Sequence, residues 1–238
     1  MAYRRLPFGS PISYVKRQIA KGESGMFAMK VVRHRPNPWL IRIAGLILVI
    51  FSSSLPLLAQ SLSPAARHIQ SYYQQLLPTL QQAGRLSVPE RDRRFTPAIS
   101  SAFDLGTMAR LAVGPAWTSF SGAQQASIRE AFARFLIADY ASLVSDYSAD
   151  NFVVEPQGTP ESRGGGEIVK TKLLQGGGRT VTVNYLVRGG RVIDVYLNGT
   201  ISDLAIRRDE FASIIASGGA DALIKRLHER TQSLLGGG

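Results

Sequence analysis

The chain has 238 residues, no cysteine, 28 basic and 17 acidic residues, and a formal net charge of +11. Without cysteine there is no disulfide, no thiol nucleophile and no lipid-modified N-terminal cysteine. The charge is uneven: up to Ala59 there are nine Lys/Arg and one acid, and from Gln60 onward nineteen basic and sixteen acidic residues, so the part after Ala59 carries only +3 and lacks the clustered basic surface of a nucleic-acid binder.

Ile43 to Phe51 is an apolar run bounded by Arg42 and by Ser52-Ser53-Ser54. Its length falls within the about 7–15 residues of a signal-peptide core, and Leu57-Leu58-Ala59 supplies a small residue before Gln60. Residues 1–59 therefore read as an export signal. Met26 and Met29 are alternative starts, with Lys30, Arg33 and Arg35 as the basic segment. Arg4-Arg5 lies too far upstream for a strong twin-arginine reading. The rival reading is an uncleaved anchor over Trp39–Leu58, about long enough to span a bilayer; Arg42 and the serines speak against it. Residues 60–238 are predicted to work outside the cytoplasm and can bury one sizeable core.

Ser63-Pro64 is a helix start, a capping hydroxyl followed by proline in the first turn. Ile69, Tyr72, Tyr73, Leu76, Leu77 and Leu80 recur at helical spacing, and Pro78 should kink or end this helix. A second helix is predicted from near Pro89 toward Phe103. Asp104 caps a short helix carrying Leu105, Met108 and Leu111, closed by Gly114-Pro115. Ser121 caps the longest helix, whose stripe is Ile128, Phe132, Phe135, Leu136, Tyr140, Leu143 and Tyr147. Arg129, Glu130, Arg134, Asp139 and Asp146 take the other side, with Glu130 four residues before Arg134.

After Asp150 the period becomes alternating. Phe152–Glu155, Ile168–Leu174, Thr180–Arg188 and Val192–Asn198 read as four strands, separated by Gly164–Gly166, Gly176–Gly178 and Gly189-Gly190. These glycines are turns, because none follows a strand and opens a helix with the lysine of a phosphate loop. In the last hairpin a three-residue loop from Gly189 to Arg191 pairs Val187 with Ile193, Tyr185 with Val195 and Val183 with Leu197. That register puts all the apolar side chains on one face, so burial selects it over a two-residue turn. Two closing helices come next, one with Leu204, Phe211, Ile214 and Ile215, the other with Leu223, Leu227 and Leu234, parted at Gly218-Gly219. The predicted fold class is α+β: N-terminal helices, a four-stranded antiparallel sheet and two C-terminal helices covering one sheet face.

Catalytic sets are absent from this pattern. His68 and His228 read as surface residues without a positioned partner, and there is no HExxH, GxSxG or metal-ligand cluster. Asp104 reads as a helix cap. Asp194 interrupts an apolar strand and is predicted to face outward and pair with Arg207 or Arg208, since a buried unpaired carboxylate is costly. The large apolar side chains admit two readings, a packed core or an apolar pocket between the sheet and the long helix. Periodicity does not separate them.

Phe103-Asp104, Met108-Ala109-Arg110, Leu111, Val113-Gly114 and Trp117, then Phe132, Phe135, Tyr140 and Tyr147, resemble the pattern of the MlaC, or toluene-tolerance auxiliary, family. Tyr185-Leu186, Asp194-Val195, Gly199, Ser202, Arg207 and Phe211 are similar to its later motifs. The run 194–202 resembles the hopanoid-biosynthesis-associated HpnM branch, a reading favoured by Gly190, where the family has tryptophan, and by the two residues between Gly199 and Ser202. The resemblance covers about Ile69 to Leu227. It implies a lipid-carrier-like domain over 60–238, in the periplasm. That carrier would shuttle phospholipid or a hopanoid between an inner-membrane ABC transporter complex and an outer-membrane complex. It implies no catalytic residue, metal or cofactor. Phe103, Met108, Leu111, Phe132, Leu136, Tyr140, Val183, Tyr185, Val195, Leu197 and Ile214 are the expected lipid-binding residues. The competing readings are an enzyme with an aspartate in its pocket, and an interaction protein with a solid core.

Overall fold

Helix boundaries follow local capping chemistry throughout the computed structural model, which describes residues 61–144, 149–162 and 164–236. The export signal expected over 1–59, and Asp146 and Tyr147, lie outside these residues. Ser63 Oγ accepts from the Ala66 N–H at 3.1 Å and opens α1 (Pro64–Leu80). Pro78 lies in its last turn, and the helix stops two residues later. α2 (Val88–Ala102) opens on a capping box in which Glu90 reaches back to the Ser87 N–H at 2.9 Å. Asp104 accepts from the Thr107 N–H at 2.9 Å to cap α3 (Leu105–Val113), which ends at Gly114, φ +68°. Ser121 caps α4 (Gly122–Leu143), with Gln124 completing a second box.

The strands are β1 (Asn151–Val154), β2 (Thr159–Pro160), β3 (Glu167–Leu174), β4 (Thr180–Arg188), β5 (Arg191–Leu197) and β6 (Ile201–Ser202). They form one antiparallel sheet in the order β1-β3-β4-β5-β6, with β2 continuing the edge on β3. β2 and β6 are the additions to the four strands expected, and each is too short to carry a period. α1 lies against β1 and β3, α4 packs between α2 and α5 (Asp203–Gly236), and α5 begins beside β5. α5 is broken at Gly218 and Gly219, which makes it the two closing helices of the sequence reading. The α+β class stands.

The β4–β5 hairpin mixes the two registers weighed from sequence. Its turn is the two-residue Gly189-Gly190, pairing Arg188 with Arg191 and Val187 with Val192. A bulge then takes up Ile193, so Leu186 faces Asp194, Tyr185 faces Val195 and Val183 faces Leu197. The shared face of Val183, Tyr185, Val195 and Leu197 is as expected; the three-residue loop and the Val187–Ile193 pair are not. Val192, wholly buried, takes the place in the core that Ile193 was given. A bulge reconciles a tight glycine turn with burial of the apolar face, and a continuous ladder does not.

Three charged residues depart from the sequence reading. Asp194 does not pair with Arg207 or Arg208: it is buried and accepts from the Val195 N–H at 2.8 Å, Ser202 Oγ at 2.6 Å and the Leu204 N–H at 3.2 Å. It ties β5 to the first turn of α5. Asp139, expected on the polar side of α4, is buried and meets Arg207 Nη2 at 2.8 Å, while Arg207 Nε meets Asp203 at 2.8 Å. Arg134 pairs with Asp92 at 3.0 Å rather than with Glu130. Removing one member of a buried charged set leaves the others uncompensated, at about 3–5 kcal/mol. Arg207→Ala is therefore expected to destabilise the protein by about that much, read as a lower urea midpoint, whereas Arg208→Ala, which gives up only an exposed bond to the Leu111 carbonyl, is expected to change it little.

Candidate functional site

Each layer turns one apolar face toward a common space. α1 supplies Tyr72, Tyr73, Leu76 and Leu80, spaced to fall on one helical stripe. β3, β4 and β5 supply Leu173, then Val181, Val183 and Tyr185, then Val195 and Leu197, alternate residues that share a sheet face. Phe95 and Ile99 of α2, Tyr140 and Leu143 of α4, Val144, and Asp203 at the head of α5 close a cavity of about 140 Å³.

The hydroxyls in this wall bond to one another. Tyr73 Oη lies 2.9 Å from Thr171 Oγ1 and 2.8 Å from Tyr185 Oη, and Tyr140 donates to Asp203 Oδ2 at 3.0 Å. Rings close in around them: the Tyr72 ring lies 5.2 Å from that of Phe103 and 5.9 Å from that of Tyr185, both edge-on. Burial holds the phenols protonated. It pushes Tyr73 up to about 12, and Tyr72, Tyr140 and Tyr185 well above the ordinary phenol range, with the Asp203 charge adding to the rise at Tyr140. Burial also raises Asp194 against its three hydrogen bonds.

Five of the eleven residues expected to bind lipid meet at this cavity: Tyr140, Val183, Tyr185, Val195 and Leu197. The other six do not reach it. Phe103 stands one layer behind, its ring against Tyr72, Tyr140 and Tyr185. Met108, Phe132 and Leu136 are sealed in packed core, Phe132 against Phe211 at 6.3 Å. Leu111 and Ile214 are half-buried and pack on that core. Periodicity makes the long helix the facing wall; α4 instead packs against α2 and α5 along most of its length. The α1 stripe, although visible in the sequence, is not marked there as a wall, and no period marks Asp203.

No reactive set gathers at the cavity. Asp104 is engaged at the α3 cap, where Thr107 and nearby arginines outweigh burial and hold it below the ordinary carboxylate value. A ring nitrogen of His68 lies 2.9 Å from the Ala102 carbonyl, and His228 is exposed. Among the described residues no group of three or more His, Asp or Glu could hold a metal ion, and no helix is long and apolar enough to cross a membrane.

Helices covering one face of an antiparallel sheet, with a partly open apolar space between, make the frame of a protein that binds an apolar molecule. Residues 70–229 match the model of the MlaC protein family, and the chain belongs to that family. A phospholipid-binding protein from Ralstonia solanacearum, solved in complex with a phospholipid, is similar in fold. It aligns with a TM-score of 0.60 at 19% identity, over 72% of this chain and 99% of that one. No curated protein sequence matches the chain.

The raised phenols set a pH dependence. A folded chain that keeps protons which the unfolded chain releases near pH ~10 is favoured fully below that pH and loses stability as pH rises above it, by up to about 1.4 kcal/mol per unit for each such tyrosine. Phenolate absorbance is therefore expected to show Tyr72, Tyr73, Tyr140 and Tyr185 silent at pH ~11, where exposed tyrosines have titrated. Titration of all tyrosines together in the folded protein would contradict the burial of these four.

Proposed function

We propose that the protein is a lipid carrier that works in the periplasm, taking the hydrophobic part of a lipid into the cavity between α1 and the sheet. The observation that carries this reading is an apolar cavity, walled by every layer of a MlaC-family fold, with no reactive group set beside it. Each methylene withdrawn from water contributes about 0.8 kcal/mol, so two long acyl chains or a hopanoid skeleton gain on the order of 20 kcal/mol before costs. Such a molecule does not cross an aqueous gap unescorted. An inner-membrane ABC transporter complex and an outer-membrane complex are the partners the family resemblance implies, and residues 1–59 would direct export.

Phospholipid is the first cargo to test, because the Ralstonia protein of the same fold holds one. A hopanoid is the second, on the strength of the 194–202 motif. The cavity of about 140 Å³ is smaller than the about 300–1,000 Å³ of ordinary ligand pockets, so loading a whole lipid tail requires the walls to part. The enzyme reading needed a reactive aspartate in the pocket. Asp194 is committed to three hydrogen bonds, and Asp203 is neutralised by Arg207.

Organic extraction of the purified protein is expected to yield lipid in stoichiometric amount. Val183→Trp fills space that lipid occupies and is expected to lower the extracted lipid while the melting transition stays nearly unchanged. In a solid core the same change overpacks, at about 1–3 kcal/mol, with no lipid to lose. Destabilisation of a protein that never held lipid would overturn the carrier.

A further inference from the structure

The cavity has a floor. α1 runs alongside β3, with Ser63 bonded to Glu167, Tyr73 to Thr171 and Gln81 to the Asp150 carbonyl. The sheet face turned toward α1 is stepped in cross-strand rows: Leu173 opposite Val181, then Val183 between Thr171 and Leu197, then Tyr185 between Val169 and Val195. Leu173, Val181, Val183 and Leu197 are half-buried, whereas Tyr185 and Val195 are buried, so the mouth lies at the first row and depth increases toward Tyr185. Val187, the next residue of β4 on that face, and Val192 opposite it belong to packed core and do not line the cavity. The space therefore ends at the Tyr185 row. An aromatic crossbar closes it. Tyr185 Oη lies 2.8 Å from Tyr73 Oη, which lies 2.9 Å from Thr171 Oγ1. Thr171 donates to the Val183 carbonyl, so Tyr73 donates to Thr171 and accepts from Tyr185, and both phenol protons are committed. The Tyr73 ring stacks on Phe152 at 5.0 Å, and the Tyr185 ring stands edge-on to Tyr72 at 5.9 Å and to Phe103 at 6.3 Å. Phe103 is 1% exposed and backs the Tyr185 ring from the next layer, where close packing leaves little room to yield.

We propose that the Tyr185 ring is the stop that sets how long an apolar chain the cavity takes, with Tyr73 bracing it from α1. This rests on the carrier reading and adds to it a residue that selects cargo by chain length. Each methylene withdrawn from water strengthens binding about fourfold, so affinity climbs with length until the chain meets the ring. Further methylenes then stay at the mouth and add little. α1 is held to the sheet at Ser63 and again at Tyr73, so the walls that part to admit a tail do so on the mouth side of this stop.

The test loads lipid-stripped protein from detergent-solubilised saturated phosphatidylcholines, lauroyl through palmitoyl to arachidoyl in equal amounts. The chain lengths of the bound lipid are then read by extraction and mass spectrometry. The wild type is expected to take lipid up to one length and to be depleted beyond it. Tyr185→Leu removes the ring and is expected to raise the ratio of arachidoyl to palmitoyl lipid by about tenfold or more over wild type, since two further methylenes taken in contribute about fourfold each. Val195→Ala trims the same row while keeping both phenol bonds. It is expected to move the ratio the same way by a smaller step, and it carries the test should Tyr185→Leu not fold. Tyr185→Phe keeps the ring, gives up the bond to Tyr73, and is expected to bind the wild-type lengths. Lipid bound in full amount at wild-type lengths, in whichever of the two trimmed variants fold, would overturn the stop and leave the carrier standing. A Tyr185→Phe shift as large as that of Tyr185→Leu would do the same, since loosening rather than ring size would then set the length. No lipid bound by any of them, wild type included, sinks both readings.

Discussion

The guanidinium of Arg207 is the contact on which the arrangement of helices, sheet and cavity depends. It is 4% exposed, 2.8 Å from Asp139 on α4 and 2.8 Å from Asp203 one turn back on α5, and it lies over the Phe135 ring at 5.0 Å. Burial works to discharge it, and the two carboxylates outweigh burial and raise it above the ordinary value. At Asp139 burial wins over Arg207, and the carboxyl sits above its usual range. Such a set is costly to bury, and it stands because Asp139 Oδ2 and Asp203 Oδ2 each accept from the guanidinium. Asp203 Oδ2 takes both Arg207 and Tyr140, so the bond that docks α5 onto α4 also aims a tyrosine at the cavity. Asp194 completes the joint by holding the first turn of α5 to β5.

The local grammar of the fold was legible in the sequence. Ser63, Asp104 and Ser121 cap the helices expected of them, and Gly218-Gly219 parts the closing helix. These features act over four residues, and the residues themselves state them. The face of Val183, Tyr185, Val195 and Leu197 was legible because only burial of one face fits their alternation. The bulge at Ile193 was not, since an uninterrupted ladder from a two-residue turn exchanges the faces, and nothing in the alternation marks the extra residue that restores them. Charge placement was least legible. Asp139 sits at a polar-looking position of an amphipathic pattern, yet α4 is covered on that side by α5, and only the tertiary partner Arg207 reveals it.

The same limit governs the site. Sequence periodicity named a face on α4 and a face on the sheet, and it assumed that they confront one another. In the fold α4 packs against α2, α3 and α5, so Phe132 and Leu136 fill core, while Tyr72, Tyr73 and Leu76 of α1 share the cavity with the sheet. From α4 only its last turn reaches the cavity, with Tyr140 and Leu143, and Tyr140 meets Asp203 there. Eleven residues chosen as one wall therefore divide into a cavity group and a core group, according to which helix covers each.

Cargo and fold stability are linked, because a ligand that binds only the folded state raises its stability. The two sides of the cavity respond differently to being filled. On the α4–α5 side the walls are tied by paired charges whose separation exposes bare carboxylates. On the α1 side they are tied mainly by neutral hydroxyls and ring contacts, together with one charge-assisted bond at the helix start, where Ser63 Oγ donates to Glu167 at 2.5 Å. Neutral hydrogen bonds contribute about 0.5–1.5 kcal/mol each, well below the about 3–5 kcal/mol of breaking a buried ion pair. Parting α1 from the sheet, along the wall that carries the tyrosines, would thus cost less than parting α4 from α5, where the buried charges hold the frame.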